Sequence, residues 1–150
     1  MLTNMIDNNL RQEYKIVRKY DNRGLTMKVT TRQILSSVDS LNKLINEKLP
    51  ARVAFRVAQV SRQLDTHIQD YNKTLTKLQQ EHCSKDDEGK MVKNDQGIIQ
   101  FEDKDVFHKE HEELLSCTVE VNGSKLKLDQ LSSMNVEPAI FYHLDWFVQE

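Results

Sequence analysis

The sequence predicts an α+β fold that is mainly helical, and three observations lead to this class. Apolar residues recur at helical spacing from Val53 to His82, a shorter run with the same spacing precedes them, and short alternating segments follow. We expect a helical hairpin with one very long helix, two small β-hairpins and a C-terminal helix. With 150 residues, the chain can form a single domain with its own hydrophobic core.

The composition excludes several classes of protein. Four glycines and two prolines are too few for a low-complexity or linker-rich chain. No apolar run reaches the roughly 18 residues that a membrane helix needs, and residues 1–11 are polar, so we expect neither a membrane partner nor a secretory signal. Cys83 and Cys117 form neither a disulfide framework nor a zinc pattern, which predicts reduced thiols in a cytosolic compartment.

Residues 1–29 are predicted to be an N-terminal basic arm or hairpin extension, separate from a single helix-rich domain over residues 30–150. Residues 14–20 are β-branched and aromatic, residues 21–24 are a turn signal, and residues 25–30 are a candidate return strand. Five cations of the arm are candidate contacts for a partner: Arg11, Lys15, Arg18, Lys19 and Arg23.

Two helices are predicted next, joined by a tight corner. Thr30 or Thr31 caps the first helix, which runs through Lys48 on apolar residues spaced three or four apart. Pro50 ends this helix and suits the first turn of the next one. Because little chain is left between them, the two helices should form a corner or a hairpin.

The second helix is defined by apolar positions with a mean step of about 3.6 residues, the period of a straight α-helix rather than of a coiled coil. These positions are Val53, Val57, Val60, Leu64, Ile68, Tyr71, Leu75, Leu78 and His82. At about 1.5 Å per residue the helix would span about 50 Å, which exceeds the diameter of a compact domain of this size. Part of the helix should therefore project or pack against another subunit.

A polar segment follows, and we expect a small hairpin within it. Met91 and Val92 can pair with residues 98–101 across a turn. The segment also matches part of a calcium-loop template, at Ser84, Asp86, Glu88, Gly89 and Asp95. The first template position should be Asp and the last a bidentate Glu, so a polar loop without metal is the better interpretation. We find no internal repeat in the sequence.

A short helix capped by Asp103 or Asp105 is predicted to come next. His108 and His111 lie on one face of it, but their spacing is one residue shorter than in zinc hydrolases and no third ligand can be named. The expectation is therefore a solvated, charged helix face. We predict no metal and no cofactor for the chain.

The last third of the sequence predicts a hairpin and a closing helix. Asn122 and Gly123 lie between alternating residues within residues 117–128, which is typical of a type I′ hairpin turn. The closing helix is expected over residues 137–148, with Pro138 in its first turn.

The closing helix is crowded with rings between residues 141 and 147. These rings cannot all face one side of a helix, so Tyr142 or Trp146 should be exposed unless a partner covers it. Large aromatic side chains are frequent anchors of protein interfaces, and both residues are therefore candidate contacts.

Charge is divided unevenly along the chain. Residues 1–80 carry 14 Lys and Arg against 7 Asp and Glu, whereas residues 81–150 carry 7 against 16. Two interpretations stay open: the halves fold against each other, or a basic surface meets the acidic surface of a neighbouring subunit. Arg52 and Arg56, on one side of the long helix, are candidate contacts for an acidic partner. Nucleic acid fits less well, because the aromatic residues that stack on bases are missing there.

Several short sequence features occur one after another between residue 30 and residue 150. They are Leu41 to Leu44 with Lys48-Leu49-Pro50, Ala54 with the apolar helix through Leu64 and Tyr71, the turn from Asp87 to Gly89, Glu113-Leu114-Leu115, Val119-Glu120-Val121, Leu128, Leu131, Pro138 and Leu144. In this order and spacing the chain resembles a small uncharacterised protein family of tailed bacteriophages and prophages. Family members typically begin near Met27, so residues 1–26 are additional here. The resemblance implies a phage setting and no assigned catalytic residues.

We therefore expect a non-enzymatic phage protein that acts through protein–protein contacts, as a virion (head or tail) structural or assembly component. It would be found in the virion or the host cytoplasm, and its partners would be other phage structural proteins and further copies of itself. One alternative is a small phage-encoded inhibitor of a host defence or transcription protein. A second is a nucleic-acid-binding accessory protein. The over-long helix, the oppositely charged halves and the basic arm motivate the leading function, because together they suit head-to-tail packing in a ring. The phage setting rests on the family resemblance alone.

Overall fold

The computed structural model describes residues 25–132 and 136–150. In chain order the regular elements are β1 (Thr26–Thr30), α1 (Thr31–Asn46), α2 (Ala51–His82), α3 (Lys104–Ser116), β2 (Thr118–Asn122), β3 (Leu126–Lys127) and β4 (Val148–Gln149). Two 3-10 helices, Leu128–Gln130 and Pro138–His143, lie between β3 and β4. The mainly helical α+β class predicted from the sequence is confirmed.

The first predicted helix is confirmed together with its cap. Thr30 is the N-cap of α1: its hydroxyl accepts from the Gln33 amide, and the Gln33 side chain accepts from the Thr30 amide at 2.9 Å. The helix buries Ile34, Leu41 and Leu44 in the core. It ends at Asn46, two residues before the predicted end.

The long helix is also confirmed, as the 32-residue α2. At about 1.5 Å per residue it is about 48 Å long. Its first half buries Val53, Val57, Val60 and Leu64, whereas beyond Leu64 no residue of α2 is buried. The second half is covered in part by α3 of the same chain. The part of α2 that was predicted to project, or to pack against another subunit, therefore packs against α3.

The strand pairing differs from the predicted hairpin around Asn122 and Gly123. β2 pairs antiparallel with the distant β1, and β3 pairs in parallel with β4. A type I′ turn needs positive φ at both central residues, and Gly123 has a φ of 133° whereas no described residue other than glycine has positive φ. The Gly123 amide donates to Leu25, so the residue extends the β1–β2 pair instead of starting a hairpin.

Burial explains why β1 takes this distant partner. Met27 lies opposite Val121, and both side chains are buried on the face that packs against α2. A Cβ atom at Gly123 would lie 4.0 Å from side-chain atoms of Met27 and Val60. The pair therefore closes one side of the core, which a local hairpin at this turn would leave uncovered.

The closing helix predicted over residues 137–148 is wrong. Only Pro138–His143 is helical, as a 3-10 helix, and the chain then turns so that the Leu126 amide donates to Phe147 at 2.7 Å. This turn buries Leu144, Trp146 and Phe147 together. A continuous α-helix would keep Leu144 and Phe147 on one face but would direct Trp146 away from it.

Residues 85–92 and 93–100 form two turns of the same construction. In each turn an Asx side chain at the second position accepts two backbone N–H groups, and a glycine at the fifth position has positive φ. The residues are Asp86 and Gly89 in the first turn, with φ 79° at the glycine, and Asn94 and Gly97 in the second, with φ 77°. The expectation that the sequence has no internal repeat is therefore wrong.

Three residues eight positions apart close the two turns into one unit. Ser84 donates its amide to Gln100, Gln100 donates to Val92, and Val92 donates to Ser84, each at 2.8–2.9 Å. The hairpin predicted for residues 91–101 is confirmed in part: the Gln100 amide donates to Val92 and Lys93 bridges Ile99, whereas Met91 bridges Lys85 instead of residues 98–101. We call residues 83–101 the double turn.

Candidate functional site

A basic surface lies at the beginning of α2. Arg52 is exposed, Arg56 is partly exposed and donates to the Lys125 carbonyl at 3.4 Å, and Phe55 between them is 51% exposed. Phenylalanine and arginine are both enriched at protein interfaces relative to the rest of the protein surface. We call Arg52, Phe55, Arg56 and Lys125 the proximal surface.

The segment that carries Lys125 is held against α2 by one glutamine. The Gln63 side-chain amide donates to the Asn122 carbonyl at 2.9 Å, and its oxygen accepts from the Asn122 amide at 2.8 Å. This two-way pairing imitates the bonding of an adjacent strand and satisfies the outer edge of β2 at that residue. The cation on the strand side and the arginines on the helix therefore share one surface.

An acidic surface lies at the opposite end of α2. The Glu102 amide donates to His82, the last residue of α2, at 3.1 Å. Asp103 then caps α3, and its carboxylate accepts from the amides of Asp105 and Val106. Val106 is 41% exposed.

Within residues 102–106 one lysine, Lys104, stands against three carboxylates. We call Glu102, Asp105 and Val106 the distal surface. It resembles the proximal surface in having one partly exposed apolar side chain among charges, but its charge has the opposite sign.

A stack of four rings joins the second half of α2, α3 and the double turn. Tyr71 faces His111 at 6.2 Å between ring centres, His111 faces Phe107 at 5.7 Å, and Phe107 faces Phe101 at 4.0 Å. The tyrosine hydroxyl also hydrogen-bonds His111 Nε2 at 2.9 Å. The stack is the main apolar contact of a region that buries few other side chains.

Polar pairs flank this stack. His82 Nε2 lies 2.9 Å from a Glu110 oxygen, and Arg32 pairs with Glu112. Burial raises the pKa of the Tyr71 phenol above its usual 10.0, and the Arg32 guanidinium opposes part of that shift. These groups fasten α3 to α1 and α2.

The two histidines of α3 have different surroundings. His108 is exposed, as predicted for a solvated helix face. His111 is partly buried in the ring stack, so the prediction of a solvated face is wrong for this residue. His111 is partly buried because it contacts Tyr71, which belongs to the apolar stripe of α2.

The two aromatic candidates of the C-terminal segment, Tyr142 and Trp146, differ in exposure to solvent. Tyr142 is 80% exposed and contacts His143 edge-on at 5.0 Å between ring centres. Trp146 is buried in the core beside Phe147, so it is not available as a surface contact. Its indole N–H has no hydrogen-bond partner among the described residues.

The remaining predicted positions carry no assembled site in the described part of the chain. The Asp86 carboxylate is used as an acceptor for the amides of Glu88 and Lys90, which makes the calcium-template segment a turn. No three metal-ligating side chains come together within residues 25–132 and 136–150. Cys83 is buried, Cys117 is exposed, and both are free thiols.

The arm residues lie outside the described residues: Arg11, Lys15, Arg18, Lys19 and Arg23. Among the helices that are described, none is both long enough and apolar enough to cross a membrane.

Comparisons with known proteins add no family to this description. No protein-family model, curated protein or solved structure matches the chain. The phage-family resemblance therefore stays a prediction.

Sequence reasoning found only the arginines of these surfaces. Phe55 and Val106 were missed as contacts, although each is a large apolar residue that falls beside the buried stripe of its helix rather than on it. That displacement is a signal which the sequence does contain.

Proposed function

We propose that the protein is a non-enzymatic bacteriophage protein that acts through protein–protein contacts, as a structural or assembly component of the virion. The observation that carries this proposal is the pair of oppositely charged surfaces at the two ends of α2. Each is built around a partly exposed apolar side chain, Phe55 or Val106. Protein interfaces commonly place an apolar centre within a charged rim.

Other features fit the same function. Tyr142 presents a large ring to solvent, which is the kind of side chain that anchors an interface. The cations of residues 11–23 would give the arm an acidic partner, such as a neighbouring phage protein. The phage setting itself comes from the family resemblance, which implies the virion or the host cytoplasm as the location.

The test is to measure the chain by mass spectrometry in purified particles, in assembly intermediates and in the infected-cell lysate. A fixed copy number relative to the major structural proteins, in particles or intermediates, is the expected result. Presence in the lysate with absence from both particles and intermediates would overturn the proposal and favour a host-directed inhibitor. A pull-down from the lysate would then identify the host protein.

A further inference from the structure

We propose that the proximal surface of one copy of this chain binds the distal surface of a second copy. Copies would thereby join head to tail. This inference rests on the proposed function, because it names one partner of a protein that acts through protein–protein contacts.

The charges of the two surfaces are complementary. Lys125 lies beside Arg56 where residues 122–125 run along α2, held there by the Arg56 and Gln63 hydrogen bonds. Arg52 is one helical turn before Arg56 on the same helix. At the other end, Glu102 and Asp105 flank the capping residue of α3. Opposite charge on two surfaces of one molecule attracts a second copy and disfavours pairing of like surfaces.

Each surface also has an apolar side chain for the centre of the contact. Phe55 is 51% exposed and Val106 is 41% exposed. Both lie close to charged residues in the sequence: Phe55 falls between Arg52 and Arg56, and Val106 follows Asp105. A contact between Phe55 and Val106 surrounded by paired charges would follow the arrangement of an apolar interface centre within a polar rim.

The positions of the surfaces determine the kind of assembly. They lie at opposite ends of a helix about 48 Å long, so they cannot meet within one chain. A contact between two different surfaces is heterologous, and such contacts repeat from copy to copy into a ring or a filament. A symmetric dimer through one surface would bring like charges together.

A second copy of the chain would give both surfaces a complementary partner, whereas nucleic acid would give one only to the basic proximal surface. A polyanion would be attracted to Arg52 and Arg56 and repelled by the acidic distal surface. Nothing in a nucleic-acid complex would give Val106 a partner. The pair of surfaces therefore favours self-association.

The test uses the full-length chain and two charge-reversal variants. Arg52→Glu with Arg56→Glu reverses the proximal surface, and Glu102→Lys with Asp105→Lys reverses the distal surface. Sedimentation velocity at low salt should show species larger than the monomer for the wild-type chain. Each variant alone should associate at least about tenfold more weakly than the wild-type chain, because every reversal removes an attraction and adds a repulsion.

The decisive sample is an equal mixture of the two variants. Each reversed surface then finds its complement on the other variant, so the mixture should recover the larger species. A wild-type chain that stays monomeric at all concentrations, or a mixture that stays as monomeric as its components, would overturn the inference.

Matched controls separate the contact from general effects of charge and folding. Lys73→Glu with Lys77→Glu makes the same charge change on exposed positions of α2 and should associate like the wild-type chain. Phe55→Ser and Val106→Ser leave all charges in place and should each weaken association. Far-UV circular dichroism should show unchanged helix content in all variants, and loss of association in the lysine control would contradict the proposed surfaces.

The experiments distinguish failure of the head-to-tail contact from failure of the proposed virion role. If the chain is present in particles at fixed copy number but never self-associates, the head-to-tail contact is wrong and the virion role stands. If it self-associates as described but is absent from particles and intermediates, the contact stands and the virion role is wrong.

Discussion

The Tyr71 hydroxyl forms a 2.9 Å hydrogen bond with His111 Nε2 across the contact between α2 and α3. This bond sits at one end of the four-ring stack and ties the half of α2 that lacks buried residues to the rest of the chain. Tyr71→Phe should lower the free energy of unfolding by about 1 kcal/mol, since it removes one partly buried hydrogen bond. Urea denaturation measures the change. Tyr142→Phe is the matched control, because that ring is 80% exposed and should leave stability unchanged.

The raised pKa of Tyr71 predicts a loss of stability at high pH. The folded state holds the phenol proton more tightly than the unfolded state, so the contribution is complete below the unfolded pKa of 10.0. It is lost as the pH rises from there through the higher folded value. Stability measured between pH 9 and 11 should therefore fall more steeply for the wild-type chain than for Tyr71→Phe. Equal slopes would show that Tyr71 contributes nothing to this pH dependence.

Phe107 is predicted to be the residue on which the α3 region depends most. It is 6% exposed and lies between Phe101 and His111 in the stack. Phe107→Ala should cost about 3–4 kcal/mol of stability, the usual loss for a buried phenylalanine. Amide hydrogen exchange should show lost protection in α3 and the double turn before the core near Val57. Phe55→Ala should change stability by less than about 0.5 kcal/mol, and similar losses for both variants would contradict the role of the stack.

The two turns of the double turn should respond alike to substitution. Gly89 and Gly97 have φ of 79° and 77°, and a Cβ at either would meet no atom within 4 Å. Alanine at either glycine should therefore cost about 1 kcal/mol through the backbone alone. Asparagine should cost less than alanine, because it tolerates positive φ better. Thermal unfolding of the four single variants tests this, and a cost at only one of the two glycines would contradict their equivalence.

The helices could be predicted because their signals are local. The cap at Thr30, the stripe from Val53 to His82 and the cap at Asp103 each depend on residues within a few positions of one another. The β1–β2 pair could not be predicted in this way, because its strands are about ninety positions apart and are selected by shared burial. The Asn122-Gly123 signal was misleading, since Gly123 uses its φ of 133° and its amide bond to Leu25 to extend the β1–β2 pair.

The candidate surfaces were only half predictable for a related reason. Arg52 and Arg56 were chosen from their charge, but Lys125 reaches Arg56 only through a contact between residues 69 positions apart. Phe55 was missed although it lies on α2 between the two arginines. The internal repeat was missed because its two copies share backbone geometry and only some residue types. Trp146 was proposed as a contact because a continuous helix was assumed where the chain turns into the core.

One measurement tests the central claim directly: the copy number of the chain in particles of a phage that carries Arg52→Glu with Arg56→Glu. Mass spectrometry should find these particles or their assembly intermediates depleted of the chain, while the lysate still contains it in folded form. A phage with Lys73→Glu and Lys77→Glu should retain the wild-type copy number. Wild-type incorporation of the arginine variant would contradict the claim that the protein works through its proximal surface.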